Sequence, residues 1–444
     1  MTRDAETIAQ PIERAYELLT NEDDGRVCRD IPDEACDAQP RSFLTHVVSL
    51  SLTKTGDGLA DPKLVLSWLL TSAGAPVGVV GLLVPVREAG SLLPQLVTAG
   101  WVRGRSVRKW VWVGGSVVQG LSVLAMAGAA LTLDGPALGW AVLSLLALFA
   151  IARSFCSVSY KDVLGKTVSK STRGTATGSA GTVAAVVVFG YGLLLGLGLL
   201  PTSVEVIACG LLLAGGCWLA ASALFSTLAE QPGATDGGGN ALSVALDSIK
   251  LLRTDAPLRR FIVTRALLTA TALAPPFILA LGGSVGEASA GLGRLGAYVV
   301  ASALASVLST YVWGRLADRS SRRVLMRAAI IAALALAAVS ALGLIHRNET
   351  VNAYALPGLL FVLMVAYQGV RLGRSTHLVD MADQDTRAVY TALSNTTIGL
   401  VLVAGSAFGL LAAVTSPAVV LAVFSGMCVL AAVSATRLDE VQID

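Results

Sequence analysis

Residues 314–323 read GRLADRSSRR, a short charged run between two long apolar stretches. Residues 100–109 read GWVRGRSVRK and follow nearly the same pattern: a glycine, spaced arginines, then another apolar stretch. The later copy carries an acid, Asp318, at the position where the earlier copy has Gly104. A basic hinge that occurs twice between apolar segments indicates that one membrane-embedded unit is repeated along the chain.

The composition is that of a membrane protein. The chain has 444 residues, of which 54% are hydrophobic and only 14% are charged, whereas a soluble domain has about 25% charged residues. Apolar segments of about 20 residues, each long enough to cross a bilayer as a helix, recur from Ser42 to Thr436. We therefore predict an all-α membrane protein with the lipid bilayer as its partner. The net charge of +3 is small, and we expect no nucleic-acid partner.

Hydropathy predicts about twelve transmembrane spans, numbered here in chain order. They cover 43–71, 77–99, 110–133, 137–160, 174–199 and 203–228 (spans 1 to 6), then 258–281, 291–313, 324–346, 354–380, 388–413 and 416–436 (spans 7 to 12). The predicted organisation is an N-terminal extension (1–41), a six-span half (42–230), a linker (231–256), a second six-span half (257–436) and a tail (437–444). Within the linker, 241–252 has the spacing of a short amphipathic surface helix.

Positive charge predicts the orientation, because cytoplasmic loops hold an excess of Lys and Arg. The connections after spans 2, 4 and 8 are basic, whereas those after spans 1, 3 and 5 read SAGAP, LDGPA and LPTS. Both termini are therefore predicted to be cytoplasmic, and the protein to lie in the inner (plasma) membrane. Residues 1–41 are polar and lack the apolar core of a signal peptide, which predicts a solvated extension with one short helix near 12–19.

The motif GRLADRSSRR resembles the short cytoplasmic motif of the major facilitator superfamily (MFS). Similarly, SLTKTGDGLADPKLVLSWLL resembles the first helix of that superfamily, and SVSYKDVLGKTVSKSTRGTATG and RSTHLVDMADQDTRAVYTALSN resemble its connections after the fourth and tenth helices. The resemblance covers about residues 42–436. It implies two pseudo-symmetric six-helix halves and a secondary transporter that works by alternating access. The implied gating motif consists of Gly314, Asp318, Arg319, Arg322 and Arg323, acting with Arg173 at the start of span 5.

The distribution of charged residues favours the same architecture independently. A charge inside the membrane is costly and normally faces a bundle interior or a wet cavity. Spans 1, 2, 4, 7, 8 and 10 carry such charges, whereas spans 3, 6, 9 and 12 carry none away from their ends. We expect the latter four spans to form an outer support and the others to line a central cavity.

Asp57, near the centre of span 1, is the first candidate for proton coupling. A desolvated carboxyl group exchanges protons closer to neutral pH. Lys54, Asp57 and Asp61 are spaced as if on one helical face, so the alternative is a structural Asp57 paired with Lys54 or with Arg87. Further proton-coupling candidates are Glu88 in span 2 and His377 near the inner end of span 10.

Intramembrane arginines are candidates for substrate binding, because guanidinium groups bind carboxylate and phosphate in a bidentate manner. The candidates are Arg87, Arg153, Arg265 and Arg371. They favour an anionic or zwitterionic solute. The alternatives are a buried ion pair that fixes helix packing, for Arg87, and extension of the side chain to the interface, for Arg374.

We therefore predict a monomeric secondary transporter that moves a small polar solute, coupled to a proton or another ion. The alternatives are a multidrug or metabolite exporter and a non-transporting membrane sensor or accessory protein with the same fold. The sequence contains no HExxH or GxSxG motif, so an enzyme is not expected. No His or second cysteine pair accompanies Cys28 and Cys36, so no metal site and no cofactor are predicted.

Overall fold

The computed structural model describes residues 12–20, 33–233, 235, 254–283, 295–345, 349–382 and 387–441. Within these residues all regular secondary structure is helical, and eleven helices are long and apolar enough to cross a membrane. The predicted fold class, an all-α multi-pass membrane protein, is therefore confirmed. The amphipathic segment predicted at 241–252 lies outside the described residues.

The helices follow the predicted spans closely. Their bounds are α1 12–20, α2 Asp33–Asp37, α3 Gln39–Leu59, α4 Val65–Ser72, α5 Val77–Leu92, α6 Gln95–Arg103, α7 Lys109–Thr132, α8 Gly135–Thr167, α9 Lys170–Gly196, α10 Val204–Ser226, α11 Ala256–Leu267, α12 Ala270–Leu273, α13 Pro275–Gly283, α14 Leu295–Arg319, α15 Ser321–Ile345, α16 Glu349–Asp380, α17 Arg387–Ala404, α18 Ala407–Val414 and α19 Pro417–Ala435. Span 1 consists of α3 and α4, span 2 of α5 and α6, span 7 of α11 to α13, and span 11 of α17 and α18. Each remaining span is one helix.

Span 1 is broken between α3 and α4, and it is not among the eleven long apolar helices. The residue before a proline disfavours helical backbone, and proline has no N–H to donate, so Asp61 and Pro62 end the helix. The N–H of Lys63 instead donates to Oδ1 of Asp61 at 2.9 Å. The prediction that Lys54, Asp57 and Asp61 share one helical face is therefore wrong for Asp61, which lies in the break.

The two halves repeat the same packing. In the first half, span 1 packs on span 6, span 2 on span 4, and span 3 on both span 4 and span 6. In the second half, the corresponding pairs are spans 7 and 12, spans 8 and 10, spans 9 and 10, and spans 9 and 12. The most extensive contacts between the halves join span 2 to 11 and span 5 to 8. Spans 3, 6, 9 and 12 make their extensive contacts only within their own half. This is the arrangement expected of an outer support around a central cavity.

We call the end of the bundle that carries residues 103–109, 166–173 and 319–323 the basic face, and the other end the opposite face. At the opposite face the halves meet backbone to backbone. A methyl group on Gly296 would lie 2.1 Å from the backbone nitrogen of Gly196, and one on Gly81 would lie 2.7 Å from Cα of Gly409. Within the described residues, spans 4 and 10 show no packing of similar extent. The cavity between the halves is thus closed at the opposite face and faces the basic face.

The N-terminal region packs onto the basic face. The predicted short helix is present at 12–20, and its Tyr16 is 2% exposed, in edge-to-face contact with Phe43 at a ring distance of 5.2 Å. Gln39 donates to the Tyr16 hydroxyl at 2.5 Å and to Oγ of Ser169 at 3.3 Å. Burial of an aromatic ring is favourable. The prediction of a solvated extension is therefore wrong for this part of residues 1–41.

Each half is closed by a glutamate that follows its last span. Glu230, after span 6, accepts hydrogen bonds from the backbone N–H groups of Arg108 at 2.9 Å and Lys109 at 2.6 Å, where span 3 begins. Glu440, after span 12, lies 3.4 Å from Nε of Arg322 in the first turn of span 9. A helix start presents unpaired N–H groups and partial positive charge, which a carboxylate stabilises. In both halves a glutamate after the last span thus contacts the start of the third span, through backbone N–H groups in the first half and through the Arg322 side chain in the second.

Candidate functional site

The central feature of the first half is a carboxylate shared by two arginines. Nη2 of Arg87 donates to Oδ1 of Asp57 at 3.1 Å, and Nη2 of Arg153 donates to Oδ2 at 2.5 Å. Spans 2 and 4 supply the arginines and span 1 the carboxylate, so the three residues join three helices. Of the two pairing alternatives considered for Asp57, the partner is Arg87 rather than Lys54, and Arg153 is an additional partner that sequence reasoning did not pair with it.

The surroundings fix the two guanidinium groups differently. Arg87 is 14% exposed and lies over the ring of Phe149, 4.9 Å from its centre. Arg153 is 30% exposed, and its Nη1 lies 3.4 Å from Oε1 of Gln119. A cavity of about 10 Å³, enough for one water molecule, adjoins Asp57 and is lined by Arg87, Phe149 and Trp218 among others. Arg87 is therefore held as a counter-ion, whereas Arg153 is the more accessible partner.

A second polar group forms where span 1 is broken. Lys63 is buried, and its Nζ donates to the hydroxyl of Tyr367 in span 10 at 2.7 Å and lies 4.0 Å from the ring centre. The same Nζ is 4.0 Å from Oε1 of Glu88. Sequence reasoning did not select Lys63 or Tyr367. Asp61 and Pro62 could have indicated Lys63, because a proline that ends a helix leaves an unwound segment, and such a segment can turn the next side chain into the cavity.

The second half contributes a buried arginine without a carboxylate partner in the described part of the chain. Arg265 is 7% exposed; it donates through Nη1 to Oγ of Ser394 at 2.7 Å and through Nη2 to Oδ1 of Asn395 at 2.9 Å. Its Nε makes no hydrogen bond. Asn395 in turn donates to Oε1 of Gln95 at 3.2 Å and so connects span 11 to span 2 of the first half.

Two further arginines lie one turn apart on span 10. Arg371 is exposed and Arg374 half-buried, and neither forms an ion pair within 4.0 Å among the described residues. Arg371 interacts electrostatically with Lys54 of span 1, and Arg374 with Arg265 of span 7. Both also act on Glu88. Arg371 and Arg374 follow Tyr367 by four and seven residues on the same side of span 10, and Tyr367 accepts a hydrogen bond from Lys63 of the first half, so both arginines lie on the side of span 10 that faces the first half.

His377 lies elsewhere. It is 2% exposed, its ring stacks on Phe261 at 5.3 Å, and its Nδ1 is 2.9 Å from Oγ of Ser321. Its charged neighbours include Glu440 and other groups at the basic face. The structure therefore does not bring His377 together with the other two proton-coupling candidates, which lie at the cavity.

The gating motif bridges spans 8 and 9. Gly314 and Arg319 belong to α14, and Arg322 and Arg323 to the first turn of α15. Arg173, at the start of span 5, donates to the carbonyl oxygens of Val168 at 2.9 Å and Gly165 at 2.8 Å, both in its own half. The side chain of Asp318 lies outside the described residues, so its contact with the start of span 5 stays a prediction.

No protein-family model and no curated protein matches the chain. The chain does, however, match solved structures. The chain is similar to the nucleoside transporter NupG (13% identity, 89% of this chain and 98% of that chain, TM-score 0.66). It is also similar to a D-xylose-proton symporter (12% identity, 90% of this chain and 98% of that chain, TM-score 0.67). A third similar structure is a POT family transporter in complex with 5-aminolevulinic acid (9% identity, 92% of this chain and 98% of that chain, TM-score 0.68). These are MFS-fold transporters, and the similarity confirms the predicted MFS fold.

Proposed function

We propose that the protein is a secondary active transporter that moves a small polar solute across the inner membrane by alternating access, coupled to protons. The fold supports this proposal, and one of the similar structures is a D-xylose-proton symporter. The cavity, closed at the opposite face and facing the basic face, is one of the two arrangements that alternating access requires. The basic connections after alternate spans support cytoplasmic termini, and we expect a monomer.

The observation that carries the proposal is the sharing of Asp57 between Arg87 and Arg153. Each carboxylate oxygen holds one guanidinium group. Addition of a proton to Asp57 removes the negative charge that holds both, and the more exposed Arg153 is then free to bind the solute. Loss of the proton restores the ion pairs and displaces the solute from Arg153. Proton binding and solute binding would thereby favour each other, which is the linkage a symporter needs.

Contacts between the halves support the conformational part of the cycle. The hydrogen bonds from Lys63 to Tyr367 and from Asn395 to Gln95 each join one half to the other. A rocking motion changes the separation of such partners, and the free energy of each bond then depends on the state. Glu88 lies beside Lys63 and is the second group at which a proton would alter this balance.

The test is transport in proteoliposomes that contain a pH-sensitive dye, with a panel of sugars, nucleosides, amino acids and organic acids. We expect one class to accumulate with an imposed pH gradient and to carry protons with it. Asp57→Asn should abolish gradient-driven accumulation and leave solute exchange intact, because the amide cannot take up a proton. Asp134→Asn, an exposed residue outside the cavity, is the matched control. Accumulation by Asp57→Asn at the wild-type level would refute the coupling role.

A further inference from the structure

We propose that the cavity binds an oxyanion, a carboxylate or a phosphate group, between Lys54 of the first half and Arg371 and Arg374 of the second. This inference rests on the proposed function, because it takes the cavity as the solute site. It assigns the solute's charge and adds anion recognition by residues of spans 1 and 10 to the role of Arg153.

The first argument is the balance of charge. Asp57 already binds two arginines, and Lys63 lies beside Glu88. Four more cations lie at the cavity or against it: Lys54, Arg265, Arg371 and Arg374. Among the described residues, Glu88 is the carboxylate that Arg265, Arg371 and Arg374 share, and it is already paired with Lys63, whereas Lys54 interacts with Asp57. The second half therefore presents an excess of positive charge to the cavity.

The second argument is that like charges face each other. Lys54 and Arg371 interact unfavourably across the two halves, and Arg265 and Arg374 do so within the second half. Repulsion between such groups is reduced when an anion lies between them. A site that assembles more cations than carboxylates from the two halves is suited to a negatively charged ligand.

The third argument is the number of free donors. Lys54 uses one of its three N–H groups, donating to the carbonyl oxygen of Thr177 at 2.8 Å. Arg371 and Arg374 form no ion pair in the described part of the chain, and they stand three residues apart, on one side of span 10. Guanidinium groups present paired donors whose spacing matches the two oxygens of a carboxylate or phosphate.

Binding at this place would also favour movement. Lys54 belongs to span 1 and Arg371 to span 10, so an anion held by both attracts the two halves at the side that faces the basic face. A ligand shifts a conformational equilibrium by its difference in affinity for the two states. The oxyanion would thus favour closure of the cavity around itself.

The experiment measures thermal unfolding of the purified full-length protein with sodium phosphate, acetate, succinate or citrate, each against sodium chloride at equal ionic strength. We expect at least one oxyanion to raise the Tm in a saturable manner. Arg371→Gln and Arg374→Gln should weaken its apparent affinity about tenfold or more. Arg327→Gln, an exposed arginine of span 9, is the control and should bind as the wild type does. Comparing phosphate with the carboxylates identifies the oxyanion.

Arg371→Lys keeps the charge but not the paired donors, and it provides a second variant if the glutamine substitution impairs folding. Equal stabilisation by chloride and by all oxyanions would overturn the inference, as would full oxyanion binding by both glutamine variants. The proposed function fails separately. Proton-coupled transport of a neutral solute alone would support the proposed function and refute the oxyanion site. Oxyanion binding without any transport would support the oxyanion site and refute the proposed function.

Discussion

The closure of the opposite face depends on Gly296, and adding one methyl group there should open it. Spans 5 and 8 approach so closely that the Cβ of an alanine at 296 would lie 2.1 Å from the backbone nitrogen and 2.5 Å from Cα of Gly196. These are backbone atoms, which cannot rotate away as a flexible side chain can. Gly296→Ala should therefore separate the two spans.

The size of the effect follows from this overlap. Ordinary contact begins at 3.4 Å, so a nitrogen at 2.1 Å requires a displacement of about 1 Å. Overpacking in a close-packed interior costs about 1–3 kcal/mol. The cost applies only in the arrangement closed at the opposite face, and it corresponds to a population shift of roughly fivefold to 150-fold toward the arrangement open there.

The shift can be measured by electron-electron double resonance. Spin labels at Leu199 and Tyr354, both exposed near the opposite face and in different halves, report the separation in a background without native cysteines. Gly296→Ala should increase the population at long distance. Gly190→Ala, in span 5, is the control, because a methyl group there meets nothing within 4 Å. An unchanged distance distribution in Gly296→Ala would show that the glycine contact does not control closure.

Three further predictions concern the basic face. Tyr16→Ala should lower the free energy of unfolding by about 3–5 kcal/mol because it leaves a buried cavity. Leu18 lies on the same helix and is 82% exposed, so Leu18→Ala should leave the stability unchanged. Thermal unfolding in detergent compares the two variants. Glu230→Gln removes the charge that caps span 3 and should cost about 0.5–2 kcal/mol, with an unchanged Tm arguing against the cap. Asp318→Asn should shift the population toward the arrangement open at the basic face, measured by cysteine accessibility from each side. Unchanged accessibility would indicate that the motif serves only as a topological anchor and does not control the gate.

Some features could be predicted from the sequence because they depend on local pattern. The bounds of the spans follow from apolar length, and the break in span 1 could have been predicted from Asp61 and Pro62, since a proline lacks the N–H donor and disfavours helical backbone at the residue before it. The outer position of spans 3, 6, 9 and 12 followed from the cost of exposing charge to lipid. These inferences need no knowledge of which helices are neighbours.

The contacts within the cavity could not be predicted in the same way. Arg153 reaches Asp57 from a helix 96 residues further along the chain, and Lys63 reaches Tyr367 across 304 residues. Such pairs depend on how the helices rotate and tilt against each other. The burial of Tyr16 was missed for the same reason: the polar composition around it predicted solvent exposure, whereas a single ring fits against Phe43.

The glutamates that close the two halves also set an order for biosynthesis. In the first half, Glu230 follows span 6 directly, and its bonds to the N–H groups of Arg108 and Lys109 need no residue of the second half. The first half can therefore complete its own contacts as soon as residue 230 has left the ribosome, while spans 7 to 12 are still being made. The second half must wait for Glu440, because the ion pair of Glu440 with Arg322 at the start of span 9 cannot form until translation has passed that residue. Ribosome arrest at a point where residue 230 has already left the ribosome should yield a protease-resistant six-span intermediate, whereas arrest before Glu440 should leave the second half sensitive.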